Sequence, residues 1–385
     1  MERYNTPQWE ARVNQAPVLV GSGRIIREQE NVVAATGRRL IVFVPENNVY
    51  RTQSTVNVSA EVLSLAVGMG NFMPDQIVVG TLDKILTWSG RGEVIIPFWS
   101  TPPEQGARFV SLALGDVNGD GRSEIVAAAE GARAFYVYEQ PEIPEARMSL
   151  QLLTIHLVPG VPQKITITRR ERALPLIAVA FQEANNWGIG TFFFTERGFE
   201  TGPYLERLPA GVTAMVSGRL TGTPGEDISW GGNDGRIRII KVAETLSTVL
   251  TTDNLGSIIS ALAVGRLNER EVLVAGTPEG YVFIYPLPVT SPSPERMIKL
   301  EIPVNTLAIT TSGRPVVGSQ EGRIKVIGTN NGLSFFTYRV RPGDTLWLLA
   351  RRYNVAVEEI IQFNGLTNPD RIYPGEFINI PLRKH

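Results

Sequence analysis

The chain has 385 residues, 43% of them hydrophobic and 19% charged, with a formal net charge of -1 and no cysteine. That composition suits a soluble globular protein with room for one large domain and a small one, and it excludes disulfides, thiolate metal sites and cysteine catalysis. Near-neutral charge supplies no long-range field for a polyanion, so nucleic acid and anionic membrane are poor partners.

Residues 1–13 are polar and carry both signs of charge, unlike the basic start and apolar core of a secretory signal. No apolar run approaches the roughly 20 residues that span a bilayer. The expectation is a chain made in the cytoplasm with no membrane span. Residues 9–13, around Trp9, read as one strand standing ahead of everything that repeats. A ring of β modules must close or leave an edge exposed, so this strand is expected to complete the last module. The alternative is a frayed terminus.

From there to about residue 330 one unit recurs. Its clearest copy runs Ser111-Leu112-Ala113-Leu114-Gly115, a polar turn, Glu124-Ile125-Val126-Ala127-Ala128, a second turn, and the apolar strand from Phe135 to Tyr138. This is the grammar of hairpins, with alternating strands and turn residues between them. The small residue closing the second strand recurs as Ala35, Gly80, Ala128, Ala180, Gly231, Gly276 and Gly318, at separations of 45, 48, 52, 51, 45 and 42 residues. That period fits one four-stranded propeller blade per copy. Ser64-Leu65-Ala66-Val67-Gly68 and Ala261-Leu262-Ala263-Val264-Gly265 repeat the first strand. Gly235, Gly280 and Gly322 each precede an alternating run four residues past the anchor. The fourth copy is the weakest, with an apparent insertion near Asn185 and Trp187. Fourth strands are expected over 93–98, 150–158 and 297–302. Residues 1–331 therefore read as a seven-bladed β-propeller.

Beyond Asn330-Asn331-Gly332 the pattern becomes strand, helix, helix, strand. Asp344 is placed to cap a helix over 345–352, with Leu346, Leu348, Leu349 and Tyr353 on one face. A second helix over 356–364 stops at Gly365, and a strand over 377–380 follows. The fold class is thus mainly β, a seven-bladed β-propeller plus a small βααβ domain over 336–383.

Two motifs carry chemistry. Tyr338-Arg339-Val340-Arg341-Pro342-Gly343-Asp344-Thr345-Leu346, then Ala350, Tyr353-Asn354-Val355, Asn364-Gly365-Leu366, Ile372-Tyr373-Pro374-Gly375 and Ile380-Pro381, resembles a LysM domain. The resemblance implies binding of peptidoglycan, chitin or another glycan containing N-acetylglucosamine. The groove it implies lies between Gly343, Asp344, Thr345 and Leu346 on one side and Asn368, Pro369, Asp370 and Ile372 on the other. Amides at a helix start can bond an acetamido carbonyl, and Leu346, Pro369 and Ile372 can cover a sugar face. Asp344 as a cap and Gly343 as a turn residue serve equally well without a ligand.

The second motif, Asp116-x-Asn118-x-Asp120-Gly121-x-x-Glu124, spaces side-chain oxygens so that a tight loop, with the Arg122 carbonyl, can surround a hard cation. It resembles the calcium loop of FG-GAP (integrin α-type) repeats, which the region 1–331 also resembles in period and strand layout. One structural Ca2+ is the implied cofactor. An Asx-rich turn that needs no ion is the alternative. The corresponding turns at 69–75, 219–227 and 266–271 lack the ligands.

Catalytic signals are sparse. The two histidines are His156, in an expected outer strand, and His385, so a Ser/His/Asp arrangement has only His156 to draw on. Trp88, Trp99, Trp187 and Trp230 could form a sugar platform but are the kind of aromatics that fill β cores. The reading is a bacterial, non-enzymatic, cell-wall-associated binding protein, with spore-envelope association suggested by the LysM resemblance without a secretory signal. The propeller would engage an unidentified protein partner. The alternatives are a polysaccharide-active hydrolase using rim carboxylates and a lectin-like propeller.

Overall fold

The computed structural model describes residues 7–27, 29–47, 49–69, 75–141, 149–328, 335–364, 366 and 372–381. Seven four-stranded antiparallel sheets succeed one another over 19–57, 64–100, 109–157, 161–205, 212–251, 261–299 and 306–327, and are numbered here as blades 1 to 7. The first strand of each blade lies against the first strands of both neighbours, and Thr306–Ile309 of blade 7 meets Leu19–Arg24 of blade 1. The ring is therefore closed.

The second strand of each blade is buried on both faces, which is why it reads as a continuous apolar run rather than an alternation. In Glu124–Ala129, Ile125, Ala127 and Ala129 join the core shared with blade 2, while Val126 and Ala128 join the core shared with blade 4. Seven such cores result, one at each blade-to-blade junction. All seven small anchors sit in second strands, each opposite the first half of the inner strand. Their size is set by the next blade. A Cβ on Gly276 would come within 2.2 Å of Val304, and one on Gly80 within 2.5 Å of the Phe109 carbonyl.

Hydroxyls beside those anchors tie neighbouring blades together. Ser64 Oγ donates to the Phe109 carbonyl at 2.7 Å, Thr213 Oγ1 to that of Ile259 at 2.7 Å, and Thr306 Oγ1 to that of Val18 at 3.0 Å. Ser111 Oγ accepts from the Ile165 amide at 3.2 Å.

The early strand is the clasp that was expected. Pro7–Arg12 pairs antiparallel with Arg323–Ile327 as the outer strand of blade 7. The Trp9 ring lies 5.0 Å from Phe43 and 5.4 Å from Tyr50, so this strand also holds blade 1. Glu10 receives Arg323 at 2.5 Å and the buried Lys325 at 3.2 Å. Burial would push its pKa up, but those two cations prevail and hold it below the usual value.

Blade 4 corrects one expectation. No inserted loop is present at Asn185 and Trp187: Leu176–Glu183 and Asn186–Thr195 join through a two-residue turn in which Ala184 has φ 51°. The additional residues lengthen the paired strands. The outer strands Val94–Ser100, Gln151–Leu157 and Arg296–Lys299 fall where fourth strands were expected, the last cut short before residue 300.

At the C-terminal end, strand Phe335–Arg339 pairs with Phe377–Pro381, and helices α1 (Leu346–Tyr353) and α2 (Val357–Asn364) pack on them. Helical period decides which face is inside: Leu346, Leu349 and Ala350 are buried and Tyr353 packs beside them, whereas Leu348 points outward. The cap of α1 is Thr345, not Asp344; its Oγ1 accepts from the Leu348 amide at 3.2 Å. Asn364 binds the last strand to α2, accepting from the Asn379 amide at 2.7 Å and donating to the Asn379 carbonyl at 2.8 Å.

Candidate binding sites

The candidate glycan residues divide in two. Gly343, with φ 87°, and Thr345 are exposed at the entrance to α1. Asp344 and Leu346 turn inward. Asp344 Oδ2 accepts from the Tyr338 hydroxyl and from the Arg341 amide, both at 2.7 Å, and Arg352 lies 3.8 Å from its other oxygen. Burial opposes its ionised form, but the Arg341 amide, the Tyr338 hydroxyl and the Arg352 charge outweigh it and lower the pKa. Leu346 is 3% exposed in the core and cannot cover a sugar. Ile372 packs partly against the same core, while Asn368, Pro369 and Asp370 lie outside the described residues. Sequence reasoning overlooked the exposed apolar groups here: Trp347, Leu348 and Tyr373 are 59%, 42% and 60% exposed. Trp347 carries the Arg351 guanidinium 5.5 Å above its ring. The i, i+3 and i, i+4 spacing of Thr345 to Leu348 and Trp347 to Arg351 was the available signal.

The loop between the first two strands of blade 3 is folded by its own side chains. Asp116 accepts from the Gly119 and Gly121 amides at 2.6 and 2.9 Å, Asn118 Oδ1 from the Asp120 amide at 3.0 Å, and Asp120 Oδ1 from the Arg122 amide at 2.8 Å. Glu124 is fully buried; one oxygen accepts from the Val117 amide at 2.8 Å and the other has no partner. Burial, reinforced by Asp120 and Asp116, pushes its pKa up to about 7. An orphaned buried carboxylate oxygen beside two further carboxylates has the donor chemistry of a hard-cation site. In this conformation, however, no three His, Asp or Glu side chains among the described residues converge on one point. The Arg122 guanidinium occupies Asp120 at 2.9 Å and Glu139 at 3.3 Å.

His156 stands in the outer strand of blade 3, stacked 5.4 Å from Phe135 and edge-on to Phe192 at 4.7 Å, and burial lowers its pKa. Trp88, Trp99 and Trp230 are at most 4% exposed and Trp187 packs on the core between blades 4 and 5, so these rings form no joint platform. Among the described residues no helix is long and apolar enough to cross a membrane.

These features define a seven-bladed propeller carrying a small domain of two strands and two helices. Residues 338–381 are a LysM domain and residues 109–139 an FG-GAP repeat. The chain is 33% identical over 82 residues to the probable endopeptidase p60 of Listeria grayi, covering 21% of this chain and 15% of that protein. It is 40% identical over 51 residues to the uncharacterised protein YkzQ of Bacillus subtilis, 13% of this chain and 67% of YkzQ. It is 49% identical over 43 residues to SpoIVD-associated factor A of the same organism, 11% of each. The chain thus spans only a small part of p60 and of the SpoIVD-associated factor. Among solved structures, BBS1N in complex with ARL6DN superposes with a TM-score of 0.64 at 13% identity, covering 86% of this chain and all of that one; at that identity the likeness speaks to the propeller fold alone.

Proposed function

We propose that this chain is a non-enzymatic binding protein of the bacterial cell wall. The LysM domain at 338–381 implies binding to a glycan containing N-acetylglucosamine, and the exposed Gly343 and Thr345 at the start of α1 are the observation that carries the reading. In it, the groove is formed by these residues with Asn368, Pro369, Asp370 and Ile372, and Leu348 adds apolar surface one helical turn along. The propeller serves as the platform for a protein partner. One such glycan site is weak, so retention on the wall depends on many copies or many sites. The packing of the half-buried His156 against Phe135 and Phe192 supports a binding rather than a hydrolytic role for blade 3. A spore-envelope location is part of the proposal, and the match to a SpoIVD-associated factor supports it.

We also assign a structural Ca2+ to Asp116, Asn118, Asp120, the Arg122 carbonyl and Glu124. The unpartnered Glu124 oxygen supports it, and the ion would take the place of the Arg122 guanidinium on Asp120.

The test is sedimentation of the full chain with purified peptidoglycan, with soluble GlcNAc oligomers as competitor. Competed binding without release of reducing ends or new amino groups is the expected result. Cleavage products would favour a hydrolase, the reading to which the p60 match points; sedimentation indifferent to the oligomers would end the glycan assignment.

A further inference from the structure

A cavity of about 510 Å³ opens where the inner strands of blades 3, 4 and 5 turn into their second strands. Its apolar wall comes from Ile167, Leu174 and Pro175, and its charged groups are Asp116, Arg169, Arg170 and Glu226. Clefts of this size with a few convergent polar groups are the usual form of small-ligand sites.

The chemistry of a ligand follows from which of those groups are already engaged. Asp116 accepts from two amides of its own loop. Glu226 accepts from the Arg169 amide at 2.9 Å, and its own amide donates to the Arg169 carbonyl at 2.8 Å, so it serves to anchor the strand end of blade 4 to blade 5. The guanidinium groups are less committed. Arg170 donates Nε to the Leu174 carbonyl at 2.7 Å and lies 5.6 Å over the Phe193 ring. Those two contacts orient its plane and leave its terminal nitrogens without a carboxylate among the described residues. The side chain of Arg169 is exposed and makes no ion pair among them. Partial burial of Arg170 lowers its pKa. A guanidinium whose orientation is fixed in advance loses little entropy on accepting a carboxylate fork. Two carboxylates balance the two arginines in the lining, which disfavours a dianion such as phosphate and admits a monoanion.

We propose that this cavity binds the terminal carboxylate of a short peptide with small apolar side chains, the carboxylate on Arg170 and Arg169 and the side chains against Ile167, Leu174 and Pro175. Two sources share that chemistry, the C-terminus of a protein and the stem peptide of a bacterial wall; the second rests on the wall-binding proposal above, the first does not.

Calorimetric titration of the full chain in EDTA with acetyl-L-Ala-L-Ala and acetyl-D-Ala-D-Ala separates them, because EDTA removes any contribution from a cation at Asp116. Saturable binding of at least one dipeptide is expected, with its C-terminal amide about tenfold or more weaker. Preference for the L form indicates a protein terminus and preference for the D form a wall peptide. Arg170→Gln should weaken binding about tenfold. Arg169→Gln, at an exposed position, should leave the thermal transition in place and weaken binding about threefold. Amides binding as tightly as acids, inorganic phosphate binding more tightly than either dipeptide, or no saturation by about 20 mM would overturn the assignment. None of these outcomes depends on glycan binding by residues 338–381.

Discussion

Replacing Glu124 with Gln should stabilise the calcium-free protein at alkaline pH, an unusual result for a fully buried residue. In the unfolded chain this carboxyl titrates near its ordinary value of 4.5, and in the fold burial pushes it up to about 7. Because the folded value is the higher one, its contribution to stability is complete below pH 4.5 and is lost as pH rises through 7. A difference of about 2.5 pH units at 1.36 kcal/mol each gives a penalty on the order of 3 kcal/mol at pH 8. Glu124→Gln retains an oxygen for the Val117 amide, which lies 2.8 Å from the present carboxylate, and carries no charge. Urea denaturation in EDTA at pH 5.5 and 8 is the assay. The native chain should lose about 2 kcal/mol across that interval while the variant changes little. Calcium at pH 8 should restore the native chain and leave the variant unaffected. A native chain with pH-independent stability in EDTA, or a variant that shares its pH dependence, would refute the reasoning.

Trp9→Ala removes the ring that joins the closing strand to Phe43 and Tyr50; for a half-buried tryptophan the cost should be about 2 to 3 kcal/mol, seen as a lower thermal midpoint and earlier proteolysis of residues 7–12. Glu10→Gln should flatten part of the acid limb of stability. The Glu10 pKa is held low by Arg323 and Lys325, so its contribution is present above the unfolded value and is lost as pH falls through the folded one. Asn364→Ala should destabilise the C-terminal domain by about 1 to 3 kcal/mol by removing both hydrogen bonds that its side chain makes to the Asn379 backbone, measured by amide exchange across 377–381 with the propeller amides unchanged. Leu348→Ala should weaken sedimentation with peptidoglycan without moving the thermal transition, since this side chain is 42% exposed.

The blade count and the position of each second strand were legible because they depend on period and on size. A residue that faces the backbone of the next blade must be small, and that requirement is visible as Gly or Ala in every copy. The clasp at Trp9 was legible for a topological reason: blade 7 supplies only three strands from Thr306 onward. What stayed hidden depends on side-chain direction. Asp344 and Thr345 are both competent caps in sequence, and the choice falls to Thr345 because Tyr338 and the Arg341 amide claim the aspartate. Leu348 looked like core because it is leucine, yet the helical turn that buries Leu346 and Leu349 places it outside. In blade 4 the polar Asn185 and Asn186 suggested a loop, whereas Asn185 completes a tight turn with Ala184 and Asn186 opens a lengthened strand.

The loop that carries Glu124 belongs to a pattern visible only once registers are known. Opposite the glycine near the end of the inner strand, blades 1, 2, 3 and 5 place Asn31, Gln76, Glu124 and Asp227, each at most 3% exposed. Three of these draw a connecting loop inward through its amides. Asn31 accepts from Ile25 and Ile26, Glu124 from Val117, and Asp227 from the Thr221 amide and hydroxyl. Blade 6 dispenses with the device by shortening its hairpin to Asn268 and Glu269, both at positive φ. The shared role is thus to fix the loop, and a neutral amide accomplishes it in blade 1 with two hydrogen bonds and no charge to bury. Blade 3 places at the same point a carboxylate with an unpaired oxygen, next to Asp116 and Asp120. That choice costs stability unless something positive enters the loop, and this excess of negative charge over structural need is the physical case for a cation there.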